Sequence, residues 1–237
     1  SRQWLRASGS LAIFLMPGLF LLGCSTDRTW LAFGTVVIVF PLARILFGSV
    51  PPNAALHWDE RVATTLDRMP LIYVPVLIGC VVAGLWQVAS VLGSNAPLTT
   101  GVALSLWMTL LFGTCVAHEL IHRRDKRQST LGYVLAGFCG HPLLAMEHLA
   151  HHARPGETDR AECPLITESL WQFAGRRLRR IGVEFCNSSS PLWNARVRMP
   201  SVVRTRFSIG ATLLTWVLFA AVAGLPGAAL YLGMMIG

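Results

Sequence analysis

Apolar residues in this chain come in long blocks rather than at every third or fourth position. Leu11–Cys24, Trp30–Phe47, Pro70–Leu92 and Leu98–His118 are almost uninterrupted, and Phe207–Ala223 and Gly227–Gly237 follow after a polar stretch. A helix needs about 20 apolar residues to cross bilayer hydrocarbon. The pattern predicts an all-α, polytopic transmembrane helical bundle of about six spans, the last cut short. The first block is short for a crossing and is best extended back toward Leu5. It follows Arg2 and Arg6 as a signal peptide would, but no small-residue cleavage site follows it, so it reads as a span. Between the two groups, Thr130–His148 is semi-apolar and contains Gly137, Gly140 and Pro142. A helix there is expected to kink or to lie in the interface. No internal repeat breaks the chain up, so residues 1–237 read as a single membrane-integral domain. The chain starts at Ser1 and stops inside an apolar run, which reads as a domain incomplete at its C-terminus.

Composition sharpens this picture. Hydrophobic residues make up 53% and charged residues 14%, against about 25% charged in a soluble domain. The net charge of +8 could indicate nucleic acid, but the basic residues sit between apolar spans, where they set orientation instead. Arg2 and Arg6 precede the first span. Arg123, Arg124, Lys126 and Arg127 follow the fourth, and more arginines run on to Arg204, whereas the turn Gly93–Pro97 carries no charge. Four crossings place the N-terminus and the 118–206 region on one side, and both are basic, so both are expected in the cytoplasm. The bland expectation for Gly175–Arg180, with four arginines, is attachment to membrane lipid. Cys24, Cys80, Cys115, Cys139, Cys163 and Cys186 form no CxxC pair and read as small apolar residues of a reduced protein.

The candidate chemistry is histidine. Six of the seven histidines lie within residues 118–152. His118 and His122 are four apart, on one helix face, and can reach a single metal. The second group is Glu147-His148-Leu-Ala-His151-His152. His148 shares a face with His151 or His152, while the adjacent pair diverges by about 100° and can serve two metals. Ionisable groups near membrane depth are expensive and point to function. His118, His122, His148, His151 and His152 are therefore candidate metal ligands on the cytoplasmic side. His141, two turns before His148, is a further candidate for a ligand or a supporting contact, and His57 reads as structural. Ligating imidazoles need acceptors for their other ring nitrogen. Glu119 and Glu147 are the main candidates, Asp125 and Asp159 weaker ones. His118-Glu119-x-x-His122 alone also fits an intramembrane zinc metalloprotease with Glu119 as general base, but five histidines exceed what one zinc needs.

HELIH, then EHLAHH about 25 residues on, resembles the membrane fatty acid desaturase and hydroxylase superfamily. Within it the segment His151–Pro164, followed by Glu168–Phe173, is most similar to the alkane 1-monooxygenase and xylene monooxygenase branch. The resemblance covers about residues 30–237. Two departures stand out. Two residues, Leu149 and Ala150, separate His148 from the His151-His152 pair, where that branch usually has three; this spacing is closer to that of desaturases. Further histidine motifs follow the last span in the superfamily, and here they are expected beyond Gly237.

The resemblance implies a non-haem diiron monooxygenase that uses two iron ions and O2 to hydroxylate an unactivated C–H bond. The implied substrate is an alkane, alkyl-aromatic or fatty acyl chain. A desaturase or ketolase on the same scaffold is the alternative outcome. It also implies electrons from a donor such as rubredoxin or ferredoxin with its reductase, no nucleic acid, and residence in a bacterial inner membrane.

Overall fold

The computed structural model describes residues 2–48, 58–153, 163–194 and 196–236, and all regular structure among them is helical. Four helices are long and apolar enough to cross a membrane: α1 (Gln3–Ser25), α3 (Glu60–Val91), α4 (Ala96–Ile121) and α8 (Pro200–Ile236). The shorter apolar α2 spans Leu31–Phe47. Of the shorter helices α5 (Lys126–Phe138), α6 (Leu144–Ala153) and α7 (Leu170–Cys186), α6 carries His148, His151 and His152, and α7 is amphipathic.

Local chemistry sets the ends and breaks. The Asn95 side chain accepts from the Leu98 N–H at the start of α4, and Gly93, at φ 82°, makes the preceding reversal. The Asp125 carboxylate accepts from the N–H groups of Arg127 and Gln128 and so caps α5. Ser169 and Gln172 form a reciprocal capping box on α7. A β-branched run, Thr35–Val39, loosens α2 into a single π turn.

Side-chain contacts give the directions. The Cys80 thiol lies 3.8 Å from the Pro17 carbonyl, and Gly84 faces the Phe20 ring, so α1 and α3 run parallel. The Ser105 hydroxyl donates to Thr29 O (2.6 Å) and accepts from Phe33 N–H (3.1 Å), docking the start of α2 on α4. The reversals near residues 26–30 and 92–95 therefore share one end of the bundle, while Asp67 and His118–Arg123 lie at the other.

The expected helix over Thr130–His148 is two helices. α5 packs back along α4, from the Ser129 hydroxyl on Ile121 O to the close approach of Gly113 and Cys139. Gly140, at φ 83°, then turns the chain into α6. A β-carbon on Gly132 would stand 2.6 Å from Ile121 N, so the α4–α5 approach requires glycine.

The two expected C-terminal segments are limbs of one hairpin. α8 breaks at Ala223 and Gly224, and Phe219 stacks on Tyr231 with ring centroids 5.2 Å apart. Along a straight helix those residues would be about 18 Å apart, so the chain folds back on itself. The core between the helices holds Tyr73, Leu77, Leu106, Leu120, Leu135, Phe219 and Tyr231, all buried. Outward positions such as Ile45, Trp86 and Leu213 are exposed and equally apolar, as hydrocarbon surroundings require.

Candidate metal centre

The last turn of α4 and the middle of α6 meet at one end of the bundle. α4 ends in His118 and His122, one turn apart, with His122 as its C-cap. α6 is only ten residues long, too short to be stable by itself. Ala145 packs with Ile121 and Tyr133, and Leu143 packs with Leu192 and Ile209. These contacts set α6 beside the end of α4.

Four rings converge there. His148 Nε2 stands 2.7 Å from His118 Nε2, 2.9 Å from His122 Nε2 and 2.8 Å from His152 Nε2. All four donor atoms lie within 4.8 Å of one another. A single ring nitrogen either donates or accepts one hydrogen bond, so hydrogen bonding alone does not account for three nitrogen neighbours at His148. Two imidazole nitrogens about 2.1 Å from one ion stand about 3.0 Å apart when bound at a right angle. The three spacings at His148 come close to that geometry, and the donor set suits iron or zinc. The residues present therefore fit a transition-metal ion. His118 and His148 are half-buried, His122 and His152 exposed. Burial, reinforced by the neighbouring His118 and His152, lowers the His122 pKa, with Glu119 opposing. A lowered pKa favours the neutral ring that can bind metal.

The other candidates fall as follows. His151 lies on α6, but its side chain is outside the described residues, as are Asp159 and His57. His141 sits in the turn before α6, its N–H on Ala136 O, and is not one of the four converging rings. Asp125 serves as the α5 cap. The Glu119 side chain is more than half exposed and pairs with Arg123 at 3.1 Å. Glu147 pairs with Arg177 of α7 at 2.5 Å, both side chains largely enclosed.

Sequence reasoning read Arg176 and Arg177 as lipid-facing and Arg123 as an orientation charge, and missed their pairing with carboxylates. Arg123 bridges Glu119 to Asp67 of α3. Arg176 holds Glu168 through two hydrogen bonds, 2.8 and 2.6 Å, and also donates to Cys163 O. Those contacts pull the Glu168 carboxyl down to a pKa of about 2. The available signal was helical spacing: Arg177 lies four residues before the apolar Ile181 and so shares its inward face.

An all-helical bundle, four membrane-length apolar helices and a histidine cluster at one end define the class, an integral membrane protein with a candidate metal site. Residues 93–237, from the start of α4 through both histidine groups to the end of the chain, match the Fatty acid desaturase family profile, and the chain belongs to that family. It is also 31% identical over 163 residues to alkane 1-monooxygenase 1 of Pseudomonas aeruginosa. That alignment covers 63% of this chain and 41% of the relative.

Proposed function

We propose that this chain is part of a membrane-bound, non-haem diiron monooxygenase that hydroxylates an unactivated C–H bond of a hydrophobic substrate. The balance is R–H + O2 + two electrons + two protons → R–OH + H2O. The observation that carries the reading is the convergence of four imidazole Nε2 atoms on one point where α4 and α6 meet. Family membership and the similarity to an alkane 1-monooxygenase supply the reaction class. His118, His122, His148 and His152 would hold metal, with His151 a further ligand toward a two-iron set. The irons would supply the O2 chemistry; the residues here orient the donors, and the apolar helices keep water from the substrate. The protease alternative needs the Glu119 carboxylate beside the metal, and here it is turned to Arg123.

The substrate class we favour is an alkane, alkyl-aromatic or fatty acyl chain, since a molecule dissolved in the bilayer can enter between apolar helices. The metal site would face the cytoplasm of a bacterial inner membrane. Among the described residues Arg28 is the one basic residue at the opposite end, which supports that orientation. Electrons would come from an acidic donor such as rubredoxin or ferredoxin, drawn by basic side chains at the site's end of the bundle, including exposed Arg179 and Arg180.

The test is isotopic. The natural full-length protein, supplied with reductase, donor, 18O2 and an alkane, should give an alcohol carrying one 18O. An unlabelled product, or an alkene without alcohol, would reject hydroxylation; the alkene would favour the desaturase outcome.

A further inference from the structure

We propose that Arg177 is a positioning residue for the histidine cluster, acting through Glu147; the inference rests on the metal-centre reading above. Glu147 immediately precedes His148, the ring on which the other three converge. Its carboxylate accepts from Arg177 Nη2 at 2.5 Å, with the two side chains only 12% and 14% exposed. Nearby, Met146 from α6 and Ile181 and Phe185 from α7 pack on one apolar cluster of Leu143, Leu192 and Ile209. Arg177 of α7 thus reaches α6 one residue before its central ligand.

The neighbouring arginine holds the other end of the intervening chain. Arg176 engages both Glu168 oxygens and the Cys163 carbonyl. Two adjacent arginines of one helix therefore fix both the helix that leads into His152 and the segment that returns from it. This matters because α6 is short and its His148 and His152 donors are crowded against those of His118 and His122 from α4, with lone pairs that repel when no cation is bound. A helix of ten residues does not hold such a register by backbone hydrogen bonds alone. Arg177 supplies a directional contact that apolar packing lacks, since an ion pair of this geometry fixes rotation about the helix axis.

The experiment measures metal affinity and site geometry rather than turnover. Natural full-length protein in detergent is titrated with Co2+ against a chelator, and the Co2+ absorption spectrum reports the ligand arrangement. Variants are Arg177→Glu, Arg177→Lys, Glu147→Arg, the exchange pair Glu147→Arg with Arg177→Glu, and Arg198→Glu as a charge-matched control. Size-exclusion profile and thermal transition confirm that each is folded. Arg177→Glu should weaken Co2+ binding about 10–100-fold, the range for contacts supporting a ligand, and alter the spectrum. Arg177→Lys should keep affinity within about threefold, the exchange pair should recover at least about tenfold, and Arg198→Glu should match wild type.

Wild-type affinity and spectrum in folded Arg177→Glu would overturn the proposal. So would an exchange pair that folds but binds no better than either single variant. If Arg177→Glu fails to fold, the proposal stands or falls on the exchange pair and on Arg177→Lys, and loss of affinity in both overturns it. Wild-type protein that binds no Co2+, or binds it equally after His118→Ala, would instead overturn the metal-centre reading, and this inference with it.

Discussion

At the scale of single side chains, His148 is the ring on which the site closes, because the Nε2 atoms of His118, His122 and His152 all stand within 2.9 Å of its own. Removing it should weaken metal binding by at least the 10–100-fold or so that loss of a supporting contact costs, whereas His141→Ala should cost less. Chelator competition on both variants distinguishes them; equal losses would place His141 in the site. The four-residue spacing of His118 and His122 was readable directly, since α-helical geometry forces such a pair onto one face. That the His152 ring stands beside His148 was not readable in advance, because spacings of three and four both satisfy the helix. The roles of Glu119 and Glu147 were equally hidden. A carboxylate beside a histidine can support that ring or pair with an arginine, and their neighbours Arg123 and Arg177 come from the folded contacts.

At the scale of elements, close approach and backbone conformation decide more than hydropathy does. A β-carbon on Gly137 would lie 2.2 Å from the Ser208 carbonyl oxygen, where α5 meets α8. Gly137→Ala should destabilise by about 2 kcal/mol or more, since overpacking against backbone has no soft escape. Thermal unfolding in detergent should show a transition lower by several degrees. Gly224, at φ 63° and ψ −159°, occupies a region open essentially to glycine alone. Gly224→Ala should cost about 1–3 kcal/mol and loosen the α8 hairpin, read as lost protection of limb 225–236 in hydrogen exchange. The sequence placed glycines near both breaks but carried no measure of how tightly helices cross there. It showed the Thr130–His148 region as a kinked helix, while Gly140 ends one helix and permits another.

α7 adds a pH-dependent contact. Glu168 titrates at about 2 instead of 4.5 because Arg176 binds its ionised form. The unfolded chain takes up this proton first, so the contact's stabilisation is present above pH 4.5 and is lost as pH falls toward 2. Wild type should therefore melt higher than Glu168→Gln near neutral pH, with the difference vanishing as pH drops through that window. A difference independent of pH would contradict the assignment.

At the scale of the whole molecule, hydropathy and charge made the helical membrane class legible because bilayer thickness fixes span length. The helix pairings were not legible, since lipid-facing and core-facing apolar positions look alike: Trp86 is exposed and Leu85 buried on the same helix. The proposed orientation has a direct check. In a cysteine-free background, Ser94→Cys should react with an impermeant thiol reagent from outside the cell, and Arg198→Cys only after the membrane is opened. Labelling of both from one side would contradict the topology.

Joint binding of metal by the histidines of α4 and α6, as proposed, can be read by elemental analysis of the natural full-length protein purified without oxygen. About two irons per chain are expected, retained in wild type and lost in both His118→Ala and His148→Ala. One zinc per chain that survives His148→Ala, or no bound metal at all, would contradict it.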